Sequence, residues 1–320
     1  MPIPRERYSA SDSRRPALVW WRFRAAILLT LLVGADVGYA QAPATRIVAR
    51  SCVDTAGATR PVAVLPRLSW HDGPVPWASW PVRLGAKAVP VHLIVARIDP
   101  ARVSLSLELL PRGDAIGPWT IQQAPANAVL AVNAGQFTDE GPWGWVVHRG
   151  REWQIPGRGA LGAALVVDTA GVVRIIPADS IGSWRDDATR RSTLVEAVQS
   201  YPQIVQRGRL PAALCRRDAV NREHRDIRLA VGVRATGEVI IALTRYAPSA
   251  MIPSAAERLP IGPTTFEMAE LMVRLGSVDA LLLDGGLSAQ LRVGTGGSTR
   301  EWPGLRAVPL AIVGTPRGQP

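Results

Sequence analysis

Thr264-Thr265-Phe266-Glu267-Met268-Ala269-Glu270-Leu271-Met272-Val273-Arg274-Leu275-Gly276, running straight into Ser277-Val278-Asp279-Ala280-Leu281-Leu282-Leu283-Asp284-Gly285-Gly286-Leu287-Ser288, decides the fold. Thr264 and Glu267 form a capping box, in which each side chain accepts from a backbone N–H that the first turn of a helix leaves free. Met268, Leu271, Met272 and Leu275 then recur at helical spacing and give one buried face. Gly276 stops the helix. Ala280 to Leu283 is a short, wholly apolar run, as expected of a strand buried on both faces. A carboxylate at the exit of such a strand stands over a crevice, the usual ligand position in sheets flanked by helices. The two glycines let the backbone turn sharply and bring N–H groups to an anion, and Ser288 adds a donor. A plain tight turn capped by Asp284 explains the same residues.

Outward from this unit the chain reads as strands. Val91 to Ile98, Val103 to Leu109 and Ala128 to Val132 are apolar or β-branched runs, the last ending at Asn133. Three hairpins follow the turn signals: Trp145 to His148 with Glu152 to Ile155, Ala163 to Asp168 with Val172 to Ile176, and Arg228 to Val233 with Val239 to Thr244. A second helix is expected over Ser192 to Ser200. The fold class implied is α+β: a mixed or antiparallel sheet core with packed helices, one globular domain behind an export signal. No repeat of solenoid period is present.

The first residues carry the zones of such a signal. Arg5, Arg7, Arg14, Arg15, Arg22 and Arg24 form a basic leader, Ala25 through Val33 an apolar core, and Ala40-Gln41-Ala42 a cleavage site of small-x-small spacing. An uncleaved anchor is the other reading, but the apolar core falls short of the roughly 20 residues a spanning helix needs. The expected organisation is a signal over 1–42, a Pro/Trp-rich extension over 43–89 anchored by Trp70, Trp77 and Trp80, a domain over 90–314, and a tail over 315–320. After cleavage no membrane span is expected, and the location is periplasmic or secreted. The formal net charge is +11. It is almost all arginine, which favours anionic partners. Nucleic acid is not expected, because no basic run interleaves with aromatics. Cys52 and Cys215 are a disulfide candidate in an oxidising compartment. No metal-ligand spacing appears, so neither metal nor cofactor is called for.

Three further segments bear on function. Asn133-Ala134-Gly135-Gln136-Phe137 leaves a strand as Asp284 does, with an amide and a glycine turn suited to a sugar hydroxyl. Gln199-Ser200-Tyr201-Pro202-Gln203-Ile204-Val205 precedes a turn at Gly208, and Arg228-Leu229-Ala230-Val231-Gly232 starts a strand with a guanidinium. Together with the Trp143 to Gly150 hairpin, the Phe266 to Gly276 helix and Ala280 to Ser288, their order resembles the phosphodiester glycosidase family. The resemblance runs from about Pro90 to Val313.

It implies an exported hydrolase that cleaves a sugar-1-phosphodiester to a free sugar and a phosphomonoester. Such a site must hold phosphate, steady positive charge at the anomeric carbon and guide a water to it. Carried onto this sequence, Arg228 becomes the phosphate clamp. Gly285, Gly286 and Ser288 become neutral donors to the phosphate oxygens. Asp284 activates water or stabilises the cationic sugar, Asn133 and Gly135 place a hydroxyl, and Trp143 or Trp145 stacks on the sugar. Two positions depart from the family pattern: Leu287 in place of a third glycine and Gln136 in place of an aromatic. Bland alternatives stand beside these roles, with Arg228 in a surface ion pair among Arg222, Arg225 and Asp226, Asn133 as a turn residue, and the tryptophans simply packed. His148 and His224 are isolated and read as structural or exposed. The competing function is a non-catalytic envelope protein that binds anionic glycans. A metal-dependent nuclease or phosphatase activity is a third possibility.

Overall fold

The structure, a computed structural model, describes residues 45–49, 52, 68–112, 115–247, 256–294 and 297–318. The signal expected over 1–42 lies outside them. The described residues are mostly β, gathered in three main sheets. The first sheet orders its strands Thr45–Ile47, Trp77–Leu84, Val89–Ile98, Val239–Tyr246, Leu229–Arg234, Ser277–Leu282 and Gln203–Val205, antiparallel except for the first pair. The second runs Arg151–Gln154, Val146–His148, Leu194–Ser200, Ala163–Asp168 and Val173–Pro177. The third runs Thr299–Trp302, Leu291–Gly294, Leu130–Asn133, Leu310–Pro316 and Val103–Leu109.

One apolar core joins the three sheets. Val103, Leu105, Leu107 and Leu109 are buried while Ser104, Ser106 and Glu108 between them are half-buried, the period of two that a pleated strand imposes. They meet Leu165 and Ile175 of the second sheet and Leu229, Val231 and Leu281 of the first. Each outer face has its own cover. The helix Thr265–Arg274 lays Phe266, Met268, Leu271 and Met272 on residues of the first sheet such as Leu93, Val95, Ala230 and Leu282. Ile181 of the helix Ala178–Asp186 packs on Val147, Val166 and Ile176, and Trp119 with Ile121 covers Ala131, Ala311 and Val313.

The expected hairpins form, as Val146–His148 with Arg151–Gln154, Ala163–Asp168 with Val173–Pro177, and Leu229–Arg234 with Val239–Tyr246. The capping box of Thr264 and Glu267 is made, with Glu267 N–H donating to Thr264 Oγ1 at 3.2 Å and Thr264 N–H to Glu267 Oε2 at 3.0 Å.

Two expectations need correction. The share of helix is too small for the α+β balance read from the sequence, and the fold is a β fold with few helices. Residues 194–200 are a strand, not a helix; the only helical part of Ser192 to Ser200 is the end of the short helix Ala188–Thr193. This strand pairs on both sides, with Val146–His148 and Ala163–Asp168, and buries Val198 on one face and Ala197 on the other. Two-sided burial of so short a run favours the strand over any local helical preference. The segment read as an extension supplies two strands to the first sheet, Trp77–Leu84 pairing residue for residue with Val89–Ile98. The last strand reaches Pro316, two residues into the expected tail.

Cys52 and Cys215 are disulfide-bonded, 163 positions apart, with Cα atoms 5.5 Å apart. Cross-linking so long a loop restricts the unfolded chain, so breaking the bridge should cost about 2–5 kcal/mol. Reduction, or Cys52→Ala with Cys215→Ala, is expected to lower the melting temperature by several degrees. An unchanged melt would show that the bridge does not carry that stability. No helix among the described residues is long and apolar enough to cross a membrane.

Candidate functional site

The loop after Ser277–Leu282 is stitched to two sheets by its own backbone. Leu283 N–H donates to Leu229 O (2.9 Å), Asp284 N–H to Ala134 O (3.0 Å) and Gly286 N–H to Ile227 O (2.9 Å). Asn133 fixes the loop at both ends: its Nδ2 donates to Asp284 O at 2.7 Å, and its Oδ1 accepts from Gln290 N–H at 2.9 Å. Arg245, buried on the strand Val239–Tyr246, places Nη2 2.8 Å from Ala289 O and 3.1 Å from both Trp302 O and Pro303 O. Burial pushes its pKa down to about 10. A side chain at Gly285 has no room, since a Cβ there would lie 2.5 Å from Ile227 O. At Gly135 a Cβ would lie equally close, 2.5 Å, to Gln199 O. Both glycines let one backbone press against another.

Asp284 is half-buried in this frame. Burial is the largest influence on its carboxyl and raises its pKa above the usual 3.8; the nearby charge of Asp226 adds to the rise. The Ser288 hydroxyl, the positive charge of Arg306 and the Gly285 N–H act the other way and support the ionised form. Asp226 accepts Ile227 N–H at Oδ1 (2.8 Å) and keeps Oδ2 3.8 Å from His224 Nε2. Arg306 holds its guanidinium 4.7 Å over the Phe137 ring and donates its backbone N–H to Leu287 O at 3.1 Å. The charges of Asp226 and Arg306 thus act on this one carboxylate in opposite directions, where the ends of two sheets meet.

The residues singled out in the sequence have different fates. Asp284, Asn133, Gly135, Gly285, Gly286 and Ser288 do come together. Several nevertheless face inward. Asn133 is fully buried with both ends of its amide on backbone, so it holds the loop. Gly286 N–H donates to Ile227 O at 2.9 Å, while the Gly285 N–H and the Ser288 hydroxyl act on the Asp284 carboxyl and lower its pKa. Trp145 is also fully buried, its indole N–H donating to Glu152 Oε2 at 2.9 Å, which leaves no face for stacking. Trp143 is half-buried and meets the Tyr201 ring edge to face, centroids 4.8 Å apart.

Arg228 sits beside this loop. Its Nε donates to Pro263 O (3.3 Å) and its Nη2 to His224 O (3.2 Å); burial lowers its pKa, and Asp226 works against that. The ion pair in this region is made by Arg225, which grips the buried Glu267 with two bonds of 2.7 and 2.8 Å. His148 is not isolated, its Nδ1 lying 3.0 Å from the buried Glu196. Asp226, Arg306 and Tyr201 were not singled out as site residues. Asp226 was visible only as a charge near Arg228, and Arg306 lies in no motif. Among the described residues no three His, Cys, Asp or Glu side chains gather as for a metal ion.

The family description for phosphodiester glycosidase matches residues 126–314, more than half the chain, which belongs to that family. The catalytic domain of zebrafish N-acetylglucosamine-1-phosphodiester alpha-N-acetylglucosaminidase, auto-inhibited by its pro-peptide, shares the fold at a TM-score of 0.56 and 14% identity. That match covers 78% of this chain and 87% of the zebrafish domain. A hypothetical protein of Synechocystis matches at a TM-score of 0.53 and 16% identity over 79% of this chain. The chain spans 64% of the length of that protein. No curated protein matches.

Proposed function

We propose that this chain is an exported hydrolase that cleaves a sugar-1-phosphodiester into a free sugar and a phosphomonoester. One observation carries the reading: a half-buried carboxylate, Asp284, stands at the meeting of two sheet ends on a loop held by its own backbone and by Asn133. In the reaction, water attacks the anomeric carbon, its proton passes to Asp284, and the bond from that carbon to the phosphate oxygen breaks. The phosphomonoester leaves as a stable anion, so little acid assistance is needed. Arg228 and Arg306 are cations beside the loop, and a guanidinium suits a phosphate. The basic charge of the chain favours an anionic substrate, and the leader read over 1–42 supports export.

The test is hydrolysis of UDP-GlcNAc and a small panel of sugar-1-phosphodiesters by the chain without residues 1–42. Free sugar and phosphomonoester in equal amounts are the expected products. A folded protein that cleaves none of the panel but binds anionic glycan would establish the non-catalytic reading instead. Because burial raises the pKa of Asp284, the base is ionised only above that raised value. The acid limb of kcat/KM against pH is therefore expected to lie above 3.8, with activity lost as pH falls through it. An acid limb at or below 3.8 would remove Asp284 as the base.

A further inference from the structure

The aromatic pair at the edge of the site takes no part in the proton transfer. Tyr201 is 41% exposed, yet it is held from three sides. The Gln136 amide clamps its backbone, Nε2 donating to Tyr201 O at 2.6 Å and Oε1 accepting Tyr201 N–H at 3.0 Å. The Ser200 hydroxyl lies 2.6 Å from Gln136 Oε1 and 2.6 Å from Leu282 O, tying that clamp to the strand leading to Asp284. The ring itself rests on Trp143, whose own ring sits against Gly157, where a Cβ would come within 2.8 Å of Trp143 Cζ2.

Tyr201 also neighbours the catalytic loop by chain connection. Ala134, whose carbonyl accepts from Asp284, is two residues before Gln136, which clamps Tyr201. A large aromatic fixed this firmly while still open to solvent is not needed to fill the core. Pockets for small ligands combine such apolar faces with a few placed polar groups. The C–H face of a pyranose is apolar and matches an aromatic ring, while phosphate does not.

We propose that Tyr201, seated on Trp143, is the platform for the sugar ring, and that Gln136 is the residue that positions it. The proposal rests on the glycosidase reading above and names which half of the substrate this edge receives. It also accounts for Gln136: where the family pattern favours an aromatic, this chain has an amide that holds an aromatic just past the strand Leu194–Ser200.

Kinetics on the wild type, Tyr201→Ala, Tyr201→Phe, Gln136→Leu and the double variant Gln136→Leu/Tyr201→Ala test it. Tyr201→Ala is expected to raise KM about tenfold with kcat changed less than about threefold, and Tyr201→Phe to restore wild-type KM. Gln136→Leu should raise KM in the wild type but add nothing once Tyr201 is alanine, since the two would act as one unit. An unchanged KM in folded Tyr201→Ala, or additive effects in the double variant, overturns the proposal. If the wild type cleaves no phosphodiester, the glycosidase reading fails separately, and calorimetric titration decides this one. N-acetylglucosamine binding weakened by Tyr201→Ala, with inorganic phosphate binding unchanged, supports the platform. Equal sugar binding by both proteins, or no sugar binding by the wild type, overturns it.

Discussion

Asp284→Asn is expected to lower kcat/KM for a sugar-1-phosphodiester by about 10³-fold while leaving the fold intact. The size follows from removing a base that takes a proton in the transition state, typically worth about 10²–10⁴-fold. Asparagine matches the carboxylate in shape, so KM should change little and kcat should carry the loss. The same substitution has a stability consequence of opposite sign. Burial raises the pKa of Asp284, so the folded protein holds the proton more tightly than the unfolded chain does. The resulting cost is absent below the unfolded pKa and complete above the folded one. At neutral pH the neutral asparagine escapes it, and Asp284→Asn should melt at or above the wild-type temperature. A variant that loses activity only because it melts lower would refute the assignment. Turnover within tenfold of wild type would refute it more directly.

The second large effect belongs to Asn133. Asn133→Ala removes two of the bonds that bind the 284–290 loop, leaving Asp284 O and Gln290 N–H without that partner. A buried polar group left unsatisfied costs about 1–3 kcal/mol, so the pair should cost about 2–6 kcal/mol. Chemical denaturation should show this loss as a lower midpoint. Activity should fall as well, since the loop that carries Asp284 loses its anchor. If Asn133 touched substrate instead, alanine would raise KM and leave stability alone. Measuring both quantities separates the role read from the sequence from the one seen in the structure.

Much of the architecture was legible because its signals are local. The Thr264–Glu267 capping box, the helical spacing from Met268 to Leu275 and the turns at Arg149-Gly150 and Thr236-Gly237 depend on residues a few positions apart. Residues 194–200 were misread for the opposite reason. Leu194-Val195-Glu196-Ala197-Val198-Gln199-Ser200 carries no decisive local period, and its state is set by strands that lie far along the chain. Trp77–Leu84 was hidden by its proline and tryptophans, although it lies against the very strand that follows it.

The site divides along the same line. The sequence by itself determined the family, the capped helix leading into a buried strand, and the position of Asp284 at that strand's exit. It also showed that glycines, an amide and a hydroxyl accompany that carboxylate. Only the tertiary structure decided which way those groups face. Asn133 and Gln290 are 157 positions apart, and Asp284 and Ala134 are 150 apart, yet they are hydrogen-bonded. A buried backbone must find partners wherever packing brings them. That demand turned Asn133 inward, committed Ser288 and Gly286 to the loop, buried Trp145, and left Tyr201 and Arg306 at the edge.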